Sequence, residues 1–177
     1  MTSIVFPGQG SQIVGMSKDF YDNYDIAKQI FEEIEDYSKL DLKKIIFDNI
    51  DNKLNLTKYT QISIFTASLI IYKTIESLKK VDKLKIKNML GHSLGEYTAL
   101  TCSEKISIKD CTAILIKRGQ LMHDSVAPNV TGMAALIGLS ANEVRKIIDN
   151  NKLKIEIAND NSPMQVVISG EIRELEN

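Results

Sequence analysis

Residues 86–103, IKNMLGHSLGEYTALTCS, contain the pattern from which the fold can be predicted. Ile86 to Leu90 is typical of a brief strand, and Glu96 to about Ser103 is typical of a helix. Between them, residues 91–95 match G-x-S-x-G, a sharp turn in which small flanking residues permit a crowded backbone. Strand, tight turn and helix in this order predict an α/β fold with a parallel sheet.

Ser93, at the centre of this turn, is the candidate nucleophile. The following helix directs its free N–H groups, including that of Leu94, back towards the serine. Such donors suit the oxyanion that forms when an acyl carbonyl is attacked. The alternative is a glycine-rich turn that carries a serine without a catalytic role.

A second glycine-rich loop, PGQGSQ at residues 7–12, follows the apolar run Ile4 to Phe6, which fits an inner strand. Closely spaced glycines can cradle a phosphate, but this loop lacks the lysine and the spacing of the nucleotide-binding motifs. We therefore expect it to face Ser93 and to supply a second N–H to the oxyanion.

Three helices are predicted in the rest of this region. Residues 25–40 and 60–79 space their apolar side chains at helical intervals, and the second helix is apolar around much of its surface, so we expect it to be well buried. Ser107 with Asp110 resembles a capping box that opens a helix running to about Asp124.

Arg118 lies on an apolar stripe of that third helix, with Cys111, Leu115 and Met122. A buried guanidinium without a partner is costly, so a carboxylate of the protein or of a substrate is expected to meet it. An internal salt bridge, or an arginine that extends to solvent, is the structural alternative.

The pattern changes after a break at Pro128 and Asn129. Strand, helix, strand, strand and helix follow in this order, which is five of the six elements of a ferredoxin-like βαββαβ unit. The predicted organisation is therefore an α/β core with the Ser93 turn at residues 1–126 and a partial ferredoxin-like subdomain at residues 127–177.

The composition excludes several classes of protein. The chain has 177 residues, 44% hydrophobic and 25% charged, with a net charge of −1, so it is neither disordered nor suited to nucleic acid or an anionic membrane surface. Its two cysteines lack metal-site spacing, and no metal site is predicted. No long apolar run occurs, and a cytoplasmic location is the expectation.

The two histidines, His92 and His123, are poor candidates for the base that a serine nucleophile needs. His92 is the immediate neighbour of Ser93, and successive side chains on a sharp turn diverge. His123 is predicted near the exposed end of its helix.

Six blocks of the sequence, taken together, resemble the malonyl-CoA:acyl-carrier-protein transacylases in order and in spacing. The blocks are FPGQGSQ, TQISIFTASLIIY, GHSLGEYTAL, KRGQLM, MAALIGL and NDNSPMQVVISG. The resemblance covers essentially all of the chain, and it implies a hydrolase-like, parallel-sheet α/β core that is incomplete here, with an incomplete ferredoxin-like subdomain inserted into it. Six collinear blocks are far more specific than G-x-S-x-G alone.

The resemblance implies a role for particular residues. Ser93 would take malonyl from coenzyme A as an ester and pass it to the phosphopantetheine thiol of an acyl carrier protein, in fatty-acid biosynthesis. Arg118 would pair with the free malonyl carboxylate, and the backbone amides of Gln9 and Leu94 would form the oxyanion hole. Gln61 and Asn161 match positions near the acyl channel, where they would contact substrate.

The same resemblance also concerns cofactors, metals and the general base. Malonyl-CoA is a substrate, and neither cofactor nor metal is expected. The general-base histidine of the family would fall after Asn177, so the 177 residues are expected to hold the nucleophile without its base.

Three alternatives remain. A stand-alone acyltransferase serving a polyketide synthase would perform the same chemistry on another carrier. A non-catalytic remnant would keep only a carrier-binding or coenzyme A-binding surface. A serine esterase of the α/β-hydrolase type shares the turn around Ser93, but it leaves Arg118 and the PGQGSQ loop unexplained.

Overall fold

The computed structural model describes residues 2–78, 85–125 and 130–176. They form two compact units, Met1–His123 and Asp124–Asn177, which we treat separately. The predicted boundary between residues 126 and 127 falls outside the described residues.

The first unit contains a parallel pair of strands, β1 (Thr2–Phe6) and β2 (Ile86–Gly91). Phe6 lies opposite Gly91, so the carboxyl ends of both strands meet at one edge of the sheet. The loop at 7–12 and the turn at 91–95 therefore leave the sheet side by side. The predicted α/β fold with a parallel sheet is confirmed.

The described part of the first unit also contains five α-helices. They are α1 (Lys18–Asn23), α2 (Asp25–Ser38), α3 (Thr57–Ser77), α4 (Leu94–Cys102) and α5 (Ile108–Asp124). A π-helical turn at Lys44–Asp48 and a 3-10 helix at Ile50–Asn55 connect α2 to α3.

Helix α3 forms the centre of the first unit, and its predicted burial is confirmed. Twelve of its residues are buried, among them Gln61, Phe65 and Ile70. The apolar face of α2, which includes Phe31 and Ile34, packs into the same core. A helix that is apolar around most of its circumference cannot remain on a surface, so α3 supports the elements that carry the site.

Helix α5 begins where the sequence predicts. The Asp110 N–H donates to the Ser107 hydroxyl at 3.0 Å, and that hydroxyl donates to the Asp110 carboxylate at 2.6 Å. Cys111 and Leu115 are fully buried, but Met122 is 43% exposed, so the predicted apolar stripe does not extend to Met122.

The second unit is an antiparallel sheet with two helices. Its strands β3 (Thr131–Ile137), β4 (Ile155–Ser162) and β5 (Gln165–Glu171) lie in the order β3-β5-β4. Helix α6 (Ala141–Asn151) follows β3, and α7 (Ile172–Leu175) follows β5. Its core consists of Val144, Ile155, Val166 and Ile168.

Across the described ranges, no helix combines the length and the apolar character needed to cross a membrane.

Candidate active site

Ser93 occupies a strained turn between β2 and α4. Its φ of 54° and ψ of −112° lie outside the regions that non-glycine residues favour. The His92 N–H donates to the Phe6 carbonyl at 3.2 Å, and the Gly95 N–H donates to the His92 carbonyl at 2.9 Å, which fixes the turn against the end of β1. Strain held in this way is typical of a nucleophile elbow, and the Ser93 residue is exposed.

The two glycines of the motif are required by close backbone contacts. A Cβ at Gly91 would lie 1.9 Å from the carbonyl carbon of Gly95, and a Cβ at Gly95 would lie 2.3 Å from the carbonyl oxygen of Phe6. Gly8 has the same constraint, because a Cβ there would lie 2.7 Å from the carbonyl oxygen of His92. The loop at 7–12 and the serine turn are therefore in direct contact.

Leu94 and Gln9 flank the serine on two sides. Leu94 is the first residue of α4, so its N–H has no intrahelical acceptor and lies at the positive end of the helix dipole. Gln9 is an exposed residue of the loop at 7–12. Their assignment as oxyanion donors stays a prediction.

Arg118 reaches Ser93 from α5. Its Nη2 donates to the Ser93 hydroxyl oxygen at 2.9 Å, and its Nη1 donates to the side-chain oxygen of Gln61. The guanidinium carbon lies 5.9 Å from the centre of the Tyr97 ring, within the range of a cation–π interaction. Within the described residues, no carboxylate lies within ion-pair distance of Arg118. The partners of this cation are neutral.

Gln61 joins the arginine to the glycine-rich loop. The residue is fully buried on α3, and its side-chain nitrogen donates to the side-chain oxygen of Gln9 at 2.9 Å. The Gln9 nitrogen in turn donates to the Thr57 hydroxyl at 3.3 Å. A chain of polar contacts thus runs from Ser93 to the beginning of α3.

Comparison with known proteins identifies the family of this chain. The family model described as "Acyl transferase domain" matches residues 4–177. This chain belongs to the acyl transferase domain family. A malonyl CoA-acyl carrier protein transacylase of Staphylococcus aureus (strain MRSA252) is 36% identical over 172 residues, which is 96% of this chain and 54% of that protein.

Solved structures agree with this acyl transferase assignment. An acyl-carrier-protein S-malonyltransferase from Bartonella henselae has a TM-score of 0.89 and 38% identity, with 99% of this chain and 57% of that one covered. A malonyl-transacylase solved in complex with a type II polyketide synthase acyl-carrier protein has a TM-score of 0.85 and 33% identity, over 98% and 56%. The chain spans about half the length of the curated relatives it matches.

The histidines of this acyl transferase domain do not supply a base to Ser93 in the described structure, and Asn161 belongs to the second unit. His92 is exposed, and in the described part of the chain neither His92 nor His123 is hydrogen-bonded to the Ser93 hydroxyl. Asn161 lies on β4 of the second unit, where its side chain donates to Gln165 at 3.4 Å. The ranges that the structure describes contain no group of side chains that could hold a metal ion.

The structure also adds residues that sequence reasoning did not select. Tyr97 lies four positions after Ser93, one helical turn along α4, and this spacing is the signal that could have indicated a shared face. Thr57 contacts Gln9 across 48 positions of sequence, and no local pattern indicates that contact.

The two cysteines of this acyl transferase domain have no part in the site. Both are buried free thiols. Burial raises the pKa of Cys102 to about 12 and the pKa of Cys111 to about 11. Both side chains are therefore neutral thiols at neutral pH, and neither is a competing nucleophile.

Proposed function

We propose that this chain carries the acylation site of a malonyl-CoA:acyl-carrier-protein malonyltransferase. The Ser93 hydroxyl attacks the thioester carbonyl of malonyl-CoA, and a new bond forms between its oxygen and the carbonyl carbon. The carbon–sulfur bond breaks, and coenzyme A leaves as a thiol with the proton that the serine loses. Attack by the phosphopantetheine thiol of an acyl carrier protein then reverses this step, which releases Ser93 and completes the transfer.

The contact between Arg118 and Ser93 carries this proposal. A half-buried guanidinium, whose partners among the described residues are neutral, lies 2.9 Å from the candidate nucleophile. An acyl group bound to Ser93 with a carboxylate one methylene beyond its carbonyl would bring that carboxylate beside Arg118. Pairing of a guanidinium with a carboxylate is charge-assisted and is suited to two parallel hydrogen bonds.

The N–H groups of Leu94 and Gln9 complete the proposed chemistry. Leu94 presents its N–H at the first turn of α4, and contact between Gly8 and His92 brings the loop that contains Gln9 against the same turn. Two donors on the developing oxyanion favour the transition state over the bound thioester.

The remaining expectations belong to the same proposal. Malonyl-CoA is a substrate, and the transfer requires neither cofactor nor metal. Asn161 contributes to substrate binding, and the reaction takes place in the cytoplasm. The second unit is part of a ferredoxin-like subdomain, with three of its four strands among the described residues. The strand order β3-β5-β4 supports this, because it leaves the outer edge of β3 open for a fourth strand.

The experiment is an acylation assay with radiolabelled malonyl-CoA and, in parallel, acetyl-CoA. We expect malonyl label on the denatured wild-type protein, located on Ser93 by peptide mapping and absent from Ser93→Ala. Arg118→Ala should reduce the rate of malonyl labelling by at least about 100-fold, because an acyl carboxylate would lose its charged partner. Acetyl labelling should change far less.

Arg145→Ala is the matched control, because Arg145 is an exposed arginine on α6 of the second unit. It should label at the wild-type rate. A folded wild-type chain that takes no label would contradict the proposal, and would favour a non-catalytic protein that keeps only a carrier-binding or coenzyme A-binding surface. The absence of a histidine bonded to Ser93 within the described residues is the observation that favours this alternative.

A polyketide carrier is the second candidate acceptor. The similar malonyl-transacylase that was solved with a type II polyketide synthase carrier protein supports it. Transfer of label from acylated chain to purified holo carrier proteins of both pathways distinguishes the two candidates, because the correct carrier should discharge Ser93 faster.

A further inference from the structure

The side chain of Gln61 is completely buried, and both ends of its amide are occupied by protein groups. The oxygen accepts from Nη1 of Arg118, and the nitrogen donates to the side-chain oxygen of Gln9 at 2.9 Å. A substrate could reach this amide only by displacing one of these partners. Direct contact with substrate, which the resemblance to the transacylases implies, would require such a displacement.

The direction of the hydrogen bonds is set by the charge of Arg118. A guanidinium can only donate, so Gln61 must present its oxygen to Arg118 and its nitrogen to Gln9. Gln9 must then present its oxygen to Gln61, which leaves its nitrogen for the Thr57 hydroxyl at 3.3 Å. One cation thus determines the orientation of two amides on two separate elements.

We propose that Gln61 is a positioning residue that couples the guanidinium of Arg118 to the loop containing Gln9. The functional part of this inference rests on the proposed function, in which Arg118 receives the acyl carboxylate and the Gln9 N–H stabilises the oxyanion. Gln61 acts on the reaction only through these two residues.

The coupling explains how recognition of a carboxylate could favour ester formation. Gln61 holds Nη1 of Arg118, and the Tyr97 ring lies beside the guanidinium at 5.9 Å. Because the guanidinium carries five N–H donors in a planar fork, Nη2 can donate to an arriving carboxylate while Nη1 keeps its bond to Gln61. Because the same amide anchors Gln9, the guanidinium and the oxyanion loop hold their positions together, and acyl groups with a carboxylate gain most from this arrangement.

The first test measures the position of Arg118 directly and requires no acyl transfer. In the ¹⁵N-labelled wild-type chain, slow rotation of the tethered guanidinium should give resolved Nη signals for Arg118. Gln61→Met has a similar length but no amide, and should average these signals. Ser63→Ala is the control, because Ser63 is a buried neighbour on α3 whose hydroxyl has no hydrogen-bond partner in the described structure.

A second variant tests the coupling at Gln9, an exposed residue, where a substitution disturbs the fold less. Gln9→Ala removes the partner of the Gln61 nitrogen and leaves the buried core untouched. The coupling predicts that this change also broadens or shifts the Arg118 signals. Unchanged Arg118 signals in Gln9→Ala, or a guanidinium that stays immobile in Gln61→Met, would overturn the inference.

The acylation assay supplies the functional readout. Gln61→Met should reduce the preference for malonyl over acetyl at least about tenfold, which corresponds to about 1.4 kcal/mol. In an Arg118→Ala background the same change should alter this ratio no further, because Gln61 acts through Arg118. An unchanged ratio in Gln61→Met, with a wild-type chain that labels normally, would show the coupling to be wrong.

The two proposals fail in different ways. A wild-type chain that takes no malonyl label, but in which Gln61→Met frees the Arg118 guanidinium, would reject the proposed function and support the tether. Normal labelling of the wild-type chain, with an Arg118 guanidinium that stays immobile in Gln61→Met, would support the proposed function and reject the tether.

Discussion

At the scale of single residues, the site depends on close contacts between backbone atoms. A side-chain Cβ would not fit at these positions. The turn at Ser93 is fixed by one hydrogen bond to the end of β1, from the His92 N–H to the Phe6 carbonyl, and Gly95 lies against the carbonyl oxygens of Phe6 and Pro7. These contacts restrain the backbone of the turn, and Ser93 therefore keeps its left-handed φ.

Gly95→Ala should therefore destabilise the first unit and inactivate Ser93 together. The new Cβ would lie 2.3 Å from the carbonyl oxygen of Phe6. Because this oxygen belongs to the backbone, it cannot move by itself, and β1 or α4 must move. We expect a loss of about 3 kcal/mol in the free energy of unfolding, the upper part of the usual range for overpacking. Urea unfolding followed by tyrosine circular dichroism measures it.

Gly132→Ala provides the comparison for that substitution. Its Cβ would meet only the flexible side chains of Leu175 and Ile172, the nearer at 3.2 Å, so the stability of the second unit should change little. Because the second unit contains no tyrosine, amide hydrogen exchange in β3 and β5 measures this change. A Gly95→Ala protein as stable as wild type, with Ser93 still acylated, would contradict the expected clash.

At the scale of elements, most helices and strands follow from local pattern, and the exceptions have physical reasons. The strand, turn and helix around Ser93 were predictable because glycines and apolar periodicity mark them. Helix α1, the π-helical turn at Lys44–Asp48 and the 3-10 helix at Ile50–Asn55 were not predicted. These elements are too short for apolar periodicity to become visible, and tertiary contacts fix them, such as the 2.8 Å bond from the Gly15 N–H to the Ile46 carbonyl.

The N-terminus of α6 offers a test at this scale. The Ser140 N–H and hydroxyl both donate to the Glu143 carboxylate, at 2.9 and 2.7 Å, and the Glu143 N–H donates back to the Ser140 hydroxyl. Ser140→Ala should cost about 1 kcal/mol of local stability. Amide hydrogen exchange in α6 should then accelerate about fivefold, whereas Ser140→Thr, which keeps the hydroxyl, should show little change.

The same cap predicts a dependence on pH. Hydrogen bonds from Ser140 lower the pKa of Glu143 below its ordinary value of 4.5. The stabilisation is therefore complete above pH 4.5 and is lost as the pH falls through the lower folded pKa. The difference between wild type and Ser140→Ala should shrink in acid; a constant difference would show that the carboxylate does not take part.

At the scale of the whole molecule, the site is assembled from positions that are distant in sequence. The types of residue at the site were predictable, because a serine in G-x-S-x-G and an arginine on an apolar stripe are local signals. The contact between Gln9 and Gln61 spans 52 positions, and that between Gln61 and Arg118 spans 57. Only the packing of α3 against its neighbours creates these contacts, so the coupling could not be predicted from local pattern.

The positions of the aromatic residues and the cysteines allow unfolding of the first unit to be measured separately. All of the phenylalanines and tyrosines, and both cysteines, lie before residue 98 or in helices α4 and α5. Thiol accessibility and the near-ultraviolet signal of tyrosine therefore report on the unit that carries Ser93.

The buried thiols make the stability of that unit sensitive to alkaline pH. Cys102 and Cys111 have folded pKa values of about 12 and about 11, against an ordinary value of 9.0. Below pH 9.0 both states hold these protons, and stability does not change on their account; above it the unfolded chain releases protons that the folded chain keeps. Each thiol should then lower the free energy of unfolding by up to about 1.4 kcal/mol per pH unit, until its folded pKa is reached. Urea unfolding between neutral and strongly alkaline pH, followed by tyrosine circular dichroism, measures this slope, to which the raised pKa of Tyr72 adds with the same sign.

Replacement of both cysteines by alanine tests the contribution of the thiols to the alkaline slope. The variant should be less stable than wild type at neutral pH, because two buried side chains are shortened. Its stability should nevertheless fall less steeply in alkali, since the two thiols no longer titrate and Cys102 no longer helps to raise the pKa of Tyr72. Thiol reagents should modify the wild-type protein at the rate of unfolding. Rapid modification of the native protein at pH 8, or an alkaline slope that the double variant does not reduce, would show that these thiols are not held neutral in the core.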